Sequence, residues 1–296
     1  SGGATDKSIT TNRAFKDTSQ WFNLVVRVDT ANATEANRLR IYVDGVEQSL
    51  ASATYRATDE DWLWNQASEL HTIGRGQASG SPSGTTSDFY LAETVHIDND
   101  SLGPESFGQV DTSTNRWIPR DVSGLTFGTN GYYLDYEVAP GTSNGAGTDV
   151  SGNSNHYSES GFASTDQSND TPTNNLPVWD GLDTVGSATP TLSEGNLRFT
   201  GADNGGRVLT FPFTRGKWYW EVDVVDAGAS FYIGFATPAG IAFSSATPWN
   251  NNAGSFIAAP TAGHFLGTNG SGTTNLVSNF TAFIGDGDRM AVAFDA

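Results

Sequence analysis

The stretch Gly216 to Gly228, GKWYWEVDVVDAG, carries three carboxylates, Glu221, Asp223 and Asp226. Two carboxylates facing one cleft are the equipment of glycoside hydrolysis. One protonates the leaving oxygen, and the other attacks the sugar or activates water; the retaining route wants them roughly 5–5.5 Å apart. On a strand, alternate residues share a face, so Glu221 and Asp223 point the same way, with Tyr219. Asp226 is an odd number of residues from Glu221 and points to the other side unless a bulge intervenes. It also stands beside Ala227 and Gly228, where the strand is expected to end. The position that would share the cleft is Val225, which has no proton to give. Trp218, Trp220, Val222 and Val224 meanwhile form an unbroken apolar side. The spacing therefore favours a core strand with one wet face, and no catalytic residue is assigned. A carbohydrate-active hydrolase built on the Glu221 strand stands as the alternative.

Other chemistry has less to draw on. The histidines, His71, His96, His156 and His264, are dispersed without metal-ligand spacing. There is no cysteine, hence no disulfide, thiolate metal site or thiol nucleophile. Asp/Asn/Gly loops are the raw material of Ca²⁺ sites, but no Asp-x-Asp-x-Asp-Gly pattern occurs, so no cofactor is expected and Ca²⁺ lacks a motif. The glycine-rich GRGQASGSPSG, residues 74–84, lacks the Gly-Lys-Ser/Thr ending of a phosphate loop and reads as a flexible hairpin loop. Sugar contact is the best-supplied option. Trp62 and Trp64 lie in the acidic DEDWLWNQ, and Trp249 stands beside Asn250 and Asn251. Aromatic faces pack on sugar rings while amides take hydroxyls. The competing reading is that these tryptophans cover sandwich ends or subunit contacts.

The elements that would position such residues are strands. Among 296 residues there are 34 glycines, and Ser, Thr, Asn and Asp fill the gaps between short apolar runs. That is an all-β composition. The formal charge of −18 repels phosphate backbones and argues against a nucleic-acid partner. No run reaches membrane-spanning length. No basic-then-apolar leader opens the chain, which starts without Met and ends on RMAVAFDA, a strand still in progress; a piece of a longer protein is expected.

WFNLVVRVD puts Phe22, Leu24, Val26 and Val28 on one side, which is expected to face a core. NRLRIYVDG follows, with Leu39, Ile41 and Val43 on one side, Arg40 and Tyr42 opposite, and Asp44-Gly45 as the turn. ELHTIGRG, SDFYLAETVHID and GYYLDY are further strands, with a loop or helical turn at SLGPESFG. From Glu137 to about Pro177 nearly every residue is small and polar. Such a stretch cannot bury a core of its own; it is either a long linker or, the favoured reading, an ordered connection laid over a neighbouring sheet. Val178 to Thr189 shows no clear pattern and goes with it. Strands return at GNLRFTG, GRVLTFPF, GKWYWEVDVV, SFYIGFAT, GSFIAAP, HFLGTNGSG and DRMAVAFDA, at sandwich-like spacing.

The order WFNLVVRVDT, NRLRIYVDGVEQ, HTIGRG, DFYLAE resembles the laminin-G-like, concanavalin-like jelly roll over about residues 15–136. The series GKWYWEV, FYIGFA, GDRMAVAFD resembles a SPRY-type sandwich that stops before that family's closing strand. Laminarinase-like hydrolases carry Glu-x-Asp-x-Glu or Glu-x-Asp-x-x-Glu, and this chain has Val225 and Asp226 at the closing positions. The whole order resembles large structural proteins of marine bacteriophages, through Phe107-Gly108, Trp117-Ile118-Pro119, Gly128 to Asp135, Asp149 to Asn153 and Asp170 to Asn175.

The expectation is thus an all-β chain of two tandem antiparallel β-sandwiches. Residues 1–136 form a jelly roll lacking its N-terminal part, 137–189 a Gly/Ser/Asn/Thr-rich connection, and 190–296 a SPRY-like sandwich lacking its C-terminal part. The phage resemblance implies a non-enzymatic virion-surface component: a tail fibre, spike or decoration protein. It implies other virion subunits as partners, a homo-oligomer, host cell-surface glycans as ligands, and no membrane insertion. The same modules would also suit a secreted bacterial adhesin.

Overall fold

A computed structural model describes residues 9–16, 20–60, 70–78, 81–87, 89–112, 115–201, 205–213, 215–228, 231–237, 255–259, 264–268, 273–277 and 284–295. The protein is all-β, with antiparallel strand pairs throughout and β-sandwich character; the helical elements among the described residues are single 3₁₀ turns. No helix there is long and apolar enough to cross a membrane. The chain divides into two compact units, Ser1–Leu176 and Pro177–Ala296.

In the first unit the sheet Leu24–Val28, Leu39–Val43, Val46–Glu47 is a meander. Asp44 and Gly45 both take positive φ, 50° and 76°, as the Asp-Gly turn requires. Gly45 does more than turn the chain. A Cβ on it would lie 2.3 Å from Cζ3 of Trp117, and one on Gly108 would lie 2.3 Å from the same indole's Nε1. Trp117 and Gly108 belong to one hairpin, Gly108–Asp111 against Arg116–Pro119, so two glycines flank one ring.

The burial of this sheet reverses one expectation. Phe22, Leu24 and Val26, expected in a core, are 42%, 54% and 38% exposed. On the opposite side Val25 and Tyr42 are buried, and so are Leu39 and Val43 on the expected side, so the second strand is covered on both faces while the first leaves its apolar side exposed. The alternation is real, but the polar residues on the second side can be covered. Arg27 Nε donates to the Ser101 carbonyl at 2.9 Å, and Arg40 donates to Asn37 and Glu47 of its own meander, so each guanidinium keeps partners. Two other expectations also shift. Strand structure in SDFYLAETVHID is confined to Thr94–His96, and Phe89 and Leu91 are exposed. The Gly-rich 74–84 segment, expected as a loop, contributes to the paired strands Arg75–Ala78 and Ser81–Thr86. SLGPESFG contains the 3₁₀ turn Pro104–Ser106, entered by Gly103, in line with the expected loop or helical turn.

Residues 137–176 belong to the first unit and are ordered by their own polar side chains. Gln167 donates to the carbonyls of Tyr136 and Glu137, and Trp21 Nε1 donates to Asp170 at 2.8 Å. Trp179–Gly186, placed with the connection by its lack of pattern, is a strand of the second unit paired with Gly205–Leu209 through an irregular register. That irregularity is why WDGLDTVG shows no two-residue rhythm.

In the second unit Lys217–Asp223 pairs with Arg289–Asp295. The register sets Trp218 against Phe294, Trp220 against Val292 and Val222 against Met290. Phe213 and Phe235 close over this side. Phe235 lies 4.4 Å from Phe294 and meets Trp220 edge-on at 5.9 Å between ring centroids. Such packing is favourable beyond the area it buries.

Candidate functional site

The wet side of the same pair holds Tyr219, Glu221 and Asp223, opposite Ala293, Ala291 and Arg289. Arg289 takes both carboxylates. Its Nε and Nη2 donate to the two Asp223 oxygens at 2.6 and 3.0 Å, and Nη1 donates to Glu221 at 3.0 Å. Tyr219 donates its hydroxyl to the remaining Glu221 oxygen. The Arg289 hydrogen bonds hold the Asp223 carboxyl below the usual carboxylate range, and the Glu221 hydrogen bond pushes the Tyr219 phenol up. Asp226 lies past the strand end, where it accepts the Gly228 N–H at 2.8 Å. The three carboxylates thus do not form an acid–base pair. One is fixed as an anion by a fork of donors, one is shared between arginine and tyrosine, and one shapes a turn. Tyr219, 63% exposed, stands opposite the small Ala293, and Glu221 opposite Ala291.

A second cluster lies in the first unit, around two carboxylates that are both 6% exposed, Asp98 and Asp149. Asp149 Oδ1 accepts the backbone N–H groups of Tyr133 and Ser151, each at 2.9 Å. Its Oδ2 accepts the Asn155 N–H at 2.8 Å and the Ser151 hydroxyl at 3.0 Å. The Asp149 N–H donates to His156 Nδ1. Burial alone would raise this carboxyl, but the donors outweigh it and hold it below its ordinary value. Asn153 and Asn155 use their amides to cap carbonyls of the Gly128 to Gly131 turn, and Asp98 accepts the Asn130 N–H. Gly131 is obligatory here: a Cβ would stand 1.8 Å from the Phe127 carbonyl oxygen. Every donor converges on protein acceptors, so this is a knot that fixes backbone.

Beside the knot, Tyr133 donates to Glu93, whose carboxyl is pushed up by burial, and Tyr136 shares a 2.6 Å hydrogen bond with Thr94. Burial likewise lowers His96. Among the described residues no group of three or more His, Asp or Glu could hold a metal ion.

The residues expected to contact sugar, Trp62, Trp64, Trp249, Asn250 and Asn251, lie outside the described residues. The sequence reading gave the Asp149 to Asn153 motif no role of its own. The signal that could have found it is the density of Asp, Asn, Ser and Gly, residue types whose short side chains bond nearby backbone. Comparisons with family models, curated proteins and solved structures find no match to this chain.

Proposed function

We propose that the chain is a non-enzymatic structural component of a virion surface, a fibre, spike or decoration protein that meets host glycans through many copies. The observation that carries the non-enzymatic part is the Arg289 fork on Glu221 and Asp223. A general acid needs a proton near neutral pH and hence a raised pKa, whereas Asp223 is shifted the other way. The ordered polar segment supports the structural part. Asp149, Asn153 and Asn155 spend their side chains on holding loops rather than on a cleft. The virion part rests on the order of motifs from Phe107 to Asn175. Many weak contacts from many copies supply attachment without a deep site.

Two assays test the reading. Laminarin and agar incubated with the protein should release no reducing ends; hydrolysis that disappears in Glu221→Gln would sink it. Multivalent display on a glycan array should give binding that falls in Trp62→Ala or Trp249→Ala; a blank array would remove the glycan-binding part.

A further inference from the structure

The Leu24–Val28 strand ends its sheet: the order is Leu24–Val28, Leu39–Val43, Val46–Glu47, and among the described residues nothing pairs with the outer side of the first. The hydrogen-bond phase shows which groups that leaves open. Asp44 N–H donates to the Asn23 carbonyl, and Asp29 N–H donates to the Arg38 carbonyl. Residues at odd positions between them, Val25 and Arg27, therefore turn their backbone groups inward to Tyr42 and Arg40. Leu24, Val26 and Val28 turn their N–H and C=O groups out. The same residues carry the exposed apolar side chains, Leu24 at 54% and Val26 at 38%. Phe22 and Phe15, stacked at 5.0 Å and both over 40% exposed, continue the patch.

Sheet edges of this kind are normally blunted by lysine, proline, a bulge or a cover. Leu-Val-Val-Arg-Val has no lysine or proline, and its ladder to the next strand runs without a register shift. Its single charge, Arg27, is drawn aside to Ser101.

We propose that this edge joins a second copy of the chain, strand against strand about a two-fold axis at Val26. The sequence is self-complementary in that register. Val26 meets Val26, Leu24 meets the second copy's Val28, and each outward N–H finds an outward C=O. Arg27 falls opposite Val25, and Asp29 falls opposite Asn23, so no like charges meet despite the −18 of the whole chain. The apolar row Leu24, Val26 and Val28 meets the same row of the second copy across the joint, beside Leu39 and Val43, which their own chain already buries. The half-exposed Phe15, Phe22, Leu24 and Val26 offer a few hundred Å², a substantial part of the roughly 800 Å² per partner of a standard interface. The backbone edge contributes the remainder. A foreign strand could use the same groups, but the match of this strand to itself favours the second copy. The proposal is independent of the virion reading, since such a dimer would form wherever the protein acts.

Sedimentation equilibrium over a hundredfold concentration range, with hydrogen exchange on the same samples, tests it. A monomer–dimer equilibrium is expected, with the Leu24, Val26 and Val28 amides protected at high concentration and exchanging on dilution. Val26→Pro, which deletes the central outward N–H, and Leu24→Lys, which charges an already exposed side chain, should each weaken the dimer at least tenfold. Near-ultraviolet circular dichroism checks that both remain folded; if either does not, the amide protection of the unaltered chain decides. A monomer at every concentration overturns the proposal. So does a dimer in which these three amides exchange fast, or one that both folded variants leave intact.

Discussion

Replacing Asp149 by Asn changes one atom at the centre of the polar knot, and its cost follows from geometry. Each carboxylate oxygen accepts two donors: Tyr133 N–H and Ser151 N–H on Oδ1, and Asn155 N–H and the Ser151 hydroxyl on Oδ2. An amide keeps one oxygen and turns the other into a donor. With the amide nitrogen at Oδ2, the Ser151 hydroxyl can rotate to accept, but the Asn155 N–H is left facing a donor. With it at Oδ1, two backbone N–H groups are stranded. Hydrogen bonds to charged groups contribute about 1.5–3 kcal/mol, and a stranded buried donor costs about 1–3 kcal/mol. The gentler arrangement therefore predicts a loss of about 3 kcal/mol. For a unit of this size that is a fall in Tm on the order of 6–12 °C. Only the transition of the Ser1–Leu176 unit should move. The assay is thermal unfolding by circular dichroism at pH 7, repeated down to acid pH. The folded pKa of Asp149 is depressed, so its stabilisation is full above the unfolded carboxylate value near 3.9 and is lost as pH falls through the folded value. The gap between the two proteins should narrow over that window. A variant melting within 1 °C of the parent at pH 7, or a gap that persists in strong acid, would refute the reasoning.

Gly45→Ala should cost about 2–4 kcal/mol, since it adds left-handed strain to a clash with Trp117. Pairing it with Trp117→Leu should recover part of that in urea titrations. Phe235→Ala opens the aromatic cluster with Phe213, Phe294 and Trp220 and should cost about 3 kcal/mol, in the transition of the second unit alone. Arg289→Ala breaks a solvent-exposed pair and should leave the melting curve within scan error; it should also return the Asp223 carboxyl toward its ordinary value in an NMR titration.

The strands GKWYWEVDVV and DRMAVAFDA of the second unit were legible because each keeps a two-residue rhythm, which seven paired positions bear out. The apolar side of GKWYWEVDVV followed from the same rhythm; the strand end was expected beside Ala227 and Gly228 and comes earlier, at Asp223. The ion pair of Glu221 and Asp223 with Arg289 was not legible, because the strands are far apart in sequence and register is set by the fold. For WFNLVVRVD the rhythm was right, but Phe22, Leu24 and Val26 stay exposed while Leu39 and Val43 on the same side of the next strand are buried. Alternation separates two faces without showing how far across each of them the covering chain reaches. Trp179–Gly186 escaped because its irregular pairing erases alternation. The ordering of residues 137–176 was expected, but its agents, Asp149, Asn153 and Asn155, act through side-chain bonds to backbone that hydrophobic patterns do not record.

Labelling of purified particles tests most directly the proposal that this chain is a particle component rather than an enzyme. An antibody against the Pro177–Ala296 unit, followed by immunogold microscopy and mass spectrometry of the particles, should place the chain on the virion surface in many copies. Particles free of the chain, with soluble protein that cleaves glycans and loses that activity in Glu221→Gln, would contradict it.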